Sequence, residues 1–231
     1  MTVQVPPYLL NEHYDDRYFD VVDALEEAKH VFFQGCGILD ILSTRETLRI
    51  GETGFGPGRL LISLLDFLEN CGIKDISVTY NSVELHPVTP ERMSSILGVF
   101  RTEAGQLIDP LVEAYSRIEI ERPGWHQIRL AGPFGLLTLN LWIGEALEMV
   151  HSLTAPCDAW FLDGHGPKKN PSIWRPELLM AIGEKTKTGG TYATFTVAGA
   201  VRRGLVAAGF SVEQRPGFGG KKSVLKGTKL Y

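Results

Sequence analysis

A glycine-rich turn between an apolar strand and an apolar helix constrains the fold of this chain most. Residues 47–50, Thr-Leu-Arg-Ile, are typical of a short strand, and residues 59–70 carry leucines at helical spacing. Between them, residues 51–58 read Gly-Glu-Thr-Gly-Phe-Gly-Pro-Gly. Glycine permits the positive φ and the close backbone approach that a tight strand-to-helix turn requires. The pattern predicts the opening unit of an α/β sheet.

Strands and helices continue to alternate after this turn. The pattern predicts strands at 76–85, 157–163 and 189–196 and helices at 144–153, 175–186 and 198–209. Residues 126–144 are typical of two strands joined by a Gly-Pro-Phe-Gly turn, and residues 210–227 of two final strands. Such alternation predicts an α/β, Rossmann-like fold with a mostly parallel sheet and an antiparallel C-terminal pair.

Two stretches do not fit this alternation. Residues 1–46 are interpreted as an N-terminal extension packed on the core, with a helix over 21–28 and short strands that include the apolar run 31–33. The run of about 85–130 is too long for a simple crossover and is mostly helical over 89–118, so it is interpreted as an inserted element. The core domain is then predicted to span residues 47–231.

Composition favours an ordinary globular protein. The chain has 231 residues, of which 44% are hydrophobic and 22% are charged, enough for one α/β domain with an appendage. No apolar run approaches the roughly 18 residues of a membrane helix, and the N-terminus has no basic segment before an apolar core. We expect a cytoplasmic protein without membrane contact. The three cysteines are far apart and form no cluster with histidine, so no metal is expected.

Charge is distributed unevenly along the chain. The formal net charge is −4, yet from residue 200 onward there are seven basic residues and one acidic residue, Glu213. Such a basic segment can bind phosphate groups or can form a solvated face, and charge alone does not decide between them. The basic residues of this segment are Arg202, Arg203, Arg215, Lys221, Lys222, Lys226 and Lys229.

Two residues of the glycine turn argue against a dinucleotide site. A G-x-G-x-x-G fingerprint that starts at Gly54 needs glycine at position 59, where this chain has Arg59. Pro57 removes one backbone N–H that could hold a pyrophosphate. S-adenosylmethionine carries an amino acid, a sulfonium and a ribose instead of a phosphate, so an acidic turn suits it better. We predict that Glu52 and three glycines bind this cofactor. These glycines are Gly54, Gly56 and Gly58.

Further acidic residues come at or just after the ends of predicted strands, where a parallel sheet binds ligands. Glu84 is predicted to accept hydrogen bonds from both ribose hydroxyls of the cofactor. Glu145 follows another strand and either accepts from the adenine amino group or caps the next helix. Asp163 and Gly164 end the strand 157–163 and are expected beside the cofactor methyl group.

Seven motifs occur in one order over nearly the whole chain. The two most specific are FLDGHGPKKNPSIW at 161–174 and ATFTVAGAVRRGLVAAGF at 193–210. The others are YDDRYF at 14–19, ALEEAKHVFF at 24–33, ETGFGPG at 52–58, LTLNLWIGE at 137–145 and RPGFGGKK at 215–222. Together they resemble the methyltransferase half of the bacterial tRNA 5-methylaminomethyl-2-thiouridine biosynthesis protein, which also occurs as a stand-alone enzyme.

This resemblance implies one N-methylation from S-adenosylmethionine onto the aminomethyl group of a tRNA wobble uridine. Asp163 matches the active-site aspartate of the family and is expected to orient the amine and take its proton. In bifunctional relatives a flavin domain follows the last of these motifs. This sequence ends shortly after that motif, so no flavin is expected. Residues expected to grip tRNA phosphates are Lys168, Lys169, Arg202, Arg203, Lys221 and Lys222.

Several alternatives stay open at this point. His165 can act as a base, contact RNA or lie on a surface loop, and Trp174 can stack a base or pack under that loop. The methyl acceptor can also be a different amine or a small molecule, in which case turnover would need no tRNA. A non-catalytic cofactor-binding protein is a rival of another class, and it predicts binding without methyl transfer.

Overall fold

The computed structural model describes residues 9–19, 23–220 and 223–231. Within these residues there are ten strands and eight α-helices. The strands are β1 (Leu10–Asn11), β2 (Asp16–Arg17), β3 (Thr47–Glu52), β4 (Ile76–Glu84), β5 (Gly124–Gly132), β6 (Gly135–Ile143), β7 (Cys157–Leu162), β8 (Thr186–Thr194), β9 (Glu213–Arg215) and β10 (Val224–Thr228). The helices are α1 (Ala24–Ala28), α2 (Ile38–Leu42), α3 (Arg59–Asn70), α4 (Pro90–Leu97), α5 (Arg101–Tyr115), α6 (Ala146–Ser152), α7 (Pro176–Glu184) and α8 (Gly199–Ala207).

Eight strands form one twisted sheet in the order β5-β6-β4-β3-β7-β8-β10-β9. The five strands from β6 to β8 in this order pair in parallel. Strand β10 runs antiparallel to both β8 and β9, and β5 runs antiparallel to β6. The chain moves from β3 outward through β4 and then returns to β7 on the other side of β3. Strands β3 and β7 therefore flank a topological switch point, where α/β sheets bind ligands.

Helices cover both faces of this sheet. One buried cluster joins β3 and β4 to α3, α4 and α5, and it includes Ile50 and Leu64. The other cluster joins β7 to α6, α7 and α8 around Trp160 and Leu179. Neighbouring residues of β7 point to opposite clusters, because side chains alternate along a strand. The predicted Rossmann-like fold and its antiparallel C-terminal pair are confirmed.

Residues before β3 pack against the same face as α3. Side chains of α1 and of the π-helical turn Lys29–Phe33 are buried in the first cluster. The apolar run 31–33 was expected as a strand and lies in this turn instead. A short, fully buried apolar run has no periodicity that separates strand from helix, which explains the difference. The short strands of this region are β1 and β2, which pair with each other.

The predicted insertion contains both helices and sheet. Helices α4 and α5 lie in it, joined by a 3-10 turn at Gly98–Phe100, and β5 begins at Gly124 and pairs with β6 along the edge of the sheet. The domain boundaries at residue 47 and at about 85–130 stay predictions. None of the helices among the described residues is long and apolar enough to cross a membrane.

Candidate active site

A cavity of about 420 Å³ opens at the carboxyl ends of β3, β4, β6 and β7. Its place at the switch point and its size are those of small-molecule sites, whose volumes run to roughly 300–1,000 Å³. Seven of the predicted site residues line it. These are Glu52, Gly54, Gly56, Glu84, Glu145, Asp163 and Gly164.

Glu84 joins the glycine turn to the end of β4. Its carboxylate accepts hydrogen bonds from the backbone N–H of Gly56 and the backbone N–H of His86, both at 2.8 Å. The backbone N–H of Phe55 also donates to the carbonyl of Val83 at 2.8 Å. A carboxylate has about four acceptor positions, so Glu84 keeps capacity for two further donors. The side chain is half-buried and lines the cavity.

The glycines of the turn have different roles. A Cβ added to Gly54 would lie 3.2 Å from the carbonyl oxygen of Asp163, so the bare backbone lets the turn meet the end of β7. Gly56 has φ of +54° and Gly58 has φ of +86°, both in the region that favours glycine. Gly58 does not line the cavity. It precedes α3, and its role in this structure is to start that helix.

Asp163 lies just past the end of β7 and is held on several sides. Its carboxylate accepts from the Nη2 of Arg59 at 3.1 Å and from the backbone N–H of Gly164 at 2.9 Å. Its carbonyl accepts from the Oγ1 of Thr53 at 2.7 Å. Burial raises the pKa of Asp163, and the positive charge of Arg59 counteracts that rise. A carboxylate with a raised pKa is a stronger base than an exposed one.

Glu52 is a second buried carboxyl group at this edge of the sheet. It is 1% exposed and accepts a hydrogen bond of 2.6 Å from the Oγ of Ser82. Burial raises the pKa of Glu52 to about 8, and the negative charge of Asp163 adds to the rise. The buried hydroxyl of Tyr80 is close enough to Glu52 to influence the ionisation of its carboxyl group. Glu52 is therefore mostly protonated at neutral pH.

Glu145 reaches the cavity from the loop after β6. It precedes α6 at the N-cap position, yet its side chain makes no capping hydrogen bond. Its Oε2 instead accepts from the Nη2 of Arg175 at 3.3 Å. Of the two roles expected for Glu145, capping is not observed, and the side chain is available to a ligand.

The segment 11–19 forms one wall of the cavity. Tyr14, Asp16 and Tyr18 line the cavity from this segment, and His165 faces them from the loop after β7. The rings of His165 and Tyr14 are 4.6 Å apart, and the Nδ1 of His165 lies 3.2 Å from the Oδ2 of Asp16. The His165 side chain is only 11% exposed, so it is part of this wall and not a surface-loop residue.

Trp174 packs beneath the same loop. It is 6% exposed, its indole N–H donates to the carbonyl of His165 at 2.8 Å, and its ring meets Phe195 edge to face. Of the two roles considered for Trp174, packing is the one that the structure shows. A buried indole with its N–H already bonded has no free face for a nucleobase.

Four of the basic residues predicted to bind tRNA are described by the structure, and none of these four lines the cavity. Lys169 donates to the carbonyl and the carboxylate of Asp15, at 2.7 and 3.1 Å, so it ties the loop after β7 to the segment 11–19. Lys168 beside it is exposed, and Arg202 and Arg203 are exposed on α8. Lys221 and Lys222 lie outside the described residues.

Sequence reasoning missed Arg59 and Glu27 at this site. In the sequence Arg59 stands out only as the residue that breaks a dinucleotide fingerprint, yet it is 8% exposed and paired with Asp163. Its position at the first turn of a helix that follows a glycine turn was a signal that it points into the site. Glu27 lines the cavity from α1. It sits on an amphipathic segment, where a charged residue is usually solvated, so no signal identified it.

The chain matches known proteins along most of its length. A family model described as S-adenosyl-L-methionine-dependent methyltransferase matches residues 103–230, more than half of the chain. The tRNA 5-methylaminomethyl-2-thiouridine biosynthesis bifunctional protein MnmC of Caulobacter vibrioides is 39% identical over 214 residues, which cover 92% of this chain and 35% of that protein. The protein of the same name from Stutzerimonas stutzeri is 37% identical over 220 residues, covering 94% and 32%.

The chain thus spans about a third of the length of these curated relatives. The crystal structure of MNMC2 from Aquifex aeolicus superposes with a TM-score of 0.72 at 22% identity, covering 95% of this chain and 65% of that one. This likeness shows the shared fold. The resemblance stated from the sequence motifs is confirmed by the two relatives. By the family match over residues 103–230, the chain belongs to the S-adenosyl-L-methionine-dependent methyltransferases.

Proposed function

We propose that the protein methylates the primary amine of 5-aminomethyl-(2-thio)uridine at the wobble position of tRNA, forming 5-methylaminomethyl-(2-thio)uridine. The family match supports S-adenosylmethionine as the methyl donor. The names of the relatives support a modified tRNA uridine as the acceptor. The observation that carries the proposal is Asp163, a carboxylate at the switch-point edge of β7 inside an acid-rich cavity.

The cavity suits S-adenosylmethionine. Glu84 retains acceptor positions for the two ribose hydroxyls, and Glu145 has an oxygen available for the adenine amino group. The bare backbone at Gly54 and Gly56 lets a ligand come close to the turn. The acidic lining also complements the positive charge of a sulfonium and of an amino group. We propose these residues, with Glu52, Asp163 and Gly164, as the cofactor site.

The chemistry sets two tasks for the protein. The bound cofactor supplies an electrophilic methyl group on sulfonium. Asp163 accepts a hydrogen bond from the acceptor amine, which directs the lone pair of the nitrogen, and it takes the proton that the amine releases. Its raised pKa, caused by burial, makes it a better proton acceptor than an exposed aspartate.

An amine acceptor fits the charge of the cavity better than a neutral hydroxyl does. Besides the mostly protonated Glu52, five acidic side chains and two arginines line it. A primary aliphatic amine is mostly cationic at neutral pH, and acidic walls concentrate cations. The five acidic side chains are Asp16, Glu27, Glu84, Glu145 and Asp163.

Binding of tRNA needs basic side chains that can contact its phosphates. We propose Lys168, Lys169, Arg202 and Arg203, together with Lys221 and Lys222, as contacts to backbone phosphates. A tRNA substrate also places the protein in the cytoplasm. We further propose that no flavin and no metal takes part in the methyl transfer, which needs neither a redox step nor a Lewis acid.

The test supplies labelled S-adenosylmethionine and tRNA from a strain that lacks the final methylation. We expect label in the wobble nucleoside and none when fully methylated tRNA replaces it. Turnover should fall as salt rises, because phosphate contacts release counterions. Equal transfer to small free amines, with no salt dependence and no need for tRNA, would instead show the alternative function, methylation of another amine.

A further inference from the structure

Arg59 sits where three parts of the molecule meet. Its Nη2 donates to the Oδ2 of Asp163 at 3.1 Å, and its Nη1 donates to the carbonyl of Ala24 at the start of α1, at 3.2 Å. Its guanidinium also lies 5.8 Å from the centre of the Phe19 ring. The side chain is only 9% exposed, so these partners replace most of its solvent.

The geometry is specific to an arginine. The guanidinium is planar, stays charged at all accessible pH values and offers several N–H groups in fixed directions. One face can lie over an aromatic ring while the two ends donate to a carboxylate and to a carbonyl. A lysine at position 59 would keep the charge, but a single ammonium cannot reproduce this planar arrangement.

Asp163 faces mostly negative groups apart from this arginine. Glu27 on α1 disfavours its ionised form, and Glu52 on β3 and Tyr80 on β4 lie within electrostatic reach of it. The other titratable groups among the described cavity residues are Tyr14, Asp16, Arg17, Tyr18, Glu84, Glu145 and His165. Among the described cavity residues, Arg17 is the only permanent cation besides Arg59. Arg59 is the one that forms an ion pair with Asp163.

We propose that Arg59 is the positioning residue of the methyl transfer site, which holds the Asp163 carboxylate ionised and oriented toward the acceptor amine while anchoring the N-terminal part of the chain. The inference rests on the proposed role of Asp163 as the base. Nothing in the reaction requires Arg59 to touch the substrate. Its effect passes through the charge and the direction of one carboxylate.

The test compares Arg59→Met with Arg59→Lys and with Arg45→Met as the matched control. Arg45 pairs with Asp158 at the opposite end of β7, at 2.7 Å, so its loss removes a similar ion pair away from the cavity. Carboxyl-carbon NMR of aspartate-labelled protein, with Asp163 assigned through Asp163→Asn, follows the titration of Asp163 without any acceptor. Profiles of kcat/KM against pH follow the same group in turnover.

We expect the Asp163 titration to move to higher pH in Arg59→Met, to return partly in Arg59→Lys, and to stay in place in Arg45→Met. Since only the carboxylate accepts the proton, kcat/KM of Arg59→Met should fall about tenfold at pH 6.5 and recover to within about twofold at pH 9. The KM for S-adenosylmethionine should change less than kcat.

An unchanged Asp163 titration in folded Arg59→Met would overturn the inference. If that variant does not fold, Arg59→Gln serves instead, because it still donates hydrogen bonds but carries no charge. A shifted titration in protein that never methylates tRNA would refute the proposed function and leave the role of Arg59 standing. An unshifted Asp163 titration in Arg59→Met, together with normal tRNA methylation, would refute the role of Arg59 and leave the proposed function standing.

Discussion

Asp158 at the amino end of β7 and Asp163 just past its carboxyl end are separated by one strand but have very different partners. Asp158 is 5% exposed, and its Oδ1 accepts from Arg45 and Lys187, each at 2.7 Å. Its Oδ2 accepts the backbone N–H of Arg49 at 2.8 Å. Asp163 has one cation, Arg59, at a longer 3.1 Å.

The difference separates a structural carboxylate from the carboxylate that we propose as the base of the reaction. Two half-exposed cations neutralise Asp158 and fasten β7 to its surroundings, which leaves little capacity for a ligand. Asp163 keeps acceptor capacity and a raised pKa, caused by burial, and it faces a cavity. In this fold the amino edge of the sheet contributes stability, and the carboxyl edge keeps carboxylates incompletely paired for chemistry.

Asp163→Ala should show most strongly how the two ends of β7 differ in function. We expect methyl transfer to fall at least about 100-fold, because the proton acceptor is lost, while S-adenosylmethionine still binds, with a loss of affinity much smaller than the loss of rate. Single-turnover assays with labelled cofactor and calorimetric titration measure the two quantities. Asp163→Asn is the control that keeps the side-chain volume. A rate close to wild type in both variants would show that the role assigned to Asp163 is wrong.

Asp158→Ala should lower the stability of the protein and leave its rate of methyl transfer nearly unchanged. We expect the free energy of unfolding to fall by about 2 kcal/mol, because two cations and the half-buried backbone N–H of Arg49 lose their acceptor. The kcat of the folded protein should stay within about twofold of wild type. Urea unfolding and turnover at 15 °C measure both. A large loss of kcat without loss of stability would remove the distinction drawn between the two edges.

Glu52→Gln should change how the stability of the protein depends on pH, because the Glu52 carboxyl group of the wild type holds a proton in the folded state. Burial raises the pKa of Glu52 to about 8, above its value of 4.5 when unfolded, so the folded state holds a proton that the unfolded state releases. This contribution to stability is complete below pH 4.5 and is lost as pH rises through about 8, with a slope of at most about 1.4 kcal/mol per pH unit.

The neutral amide of Glu52→Gln has no such dependence. The variant should therefore gain in stability relative to wild type as pH rises from 5 to 9, as thermal unfolding at a series of pH values would show. Because the Gln carbonyl still accepts from Ser82, packing is matched. A constant difference across this range would mean that Glu52 ionises normally in the folded protein.

Lys169→Ala should produce the smallest effect on stability. Its partner Asp15 is exposed, and exposed ion pairs contribute about 0–1 kcal/mol, so we expect a loss below about 0.5 kcal/mol. Lys168→Ala beside it is the matched variant. If both lysines meet phosphate, each should raise the KM for tRNA and lower its salt dependence by a similar amount. An unchanged KM in both would remove this loop from the proposed tRNA surface.

The residues at the carboxyl edge of the sheet could be predicted from the sequence, because they follow strands that alternate regularly with helices. Strand-helix alternation placed Glu84 and Asp163 at the carboxyl ends of two strands, which flank β3 in the sheet, and the structure brings both into the cavity. The boundaries of α3 agree with the leucine spacing at 59–70. Local pattern was sufficient here, since each acid is fixed by the strand that precedes it.

Contacts between distant segments were not accessible from the sequence in the same way. Arg59 meets Asp163 across 104 positions of the chain, and His165 meets Asp16 across 149. Such pairs depend on how the segment 11–19 packs over the sheet, which no local period encodes. The motif YDDRYF marked this segment as part of the resemblance, but only the fold shows it as a cavity wall.

The meeting of Thr53 and Gly54 with the backbone of Asp163 has a mechanical consequence. The Thr53 hydroxyl bonds to the Asp163 carbonyl, and Gly54 has no side chain to keep the two backbones apart. Together they set the distance between the ends of β3 and β7. A methyl group at position 54 would force the end of β7 to give by a few tenths of an ångström, without removing any polar group from the site. Because the proposed methyl transfer requires precise alignment of the reacting groups, the spacing of this backbone bears on its rate.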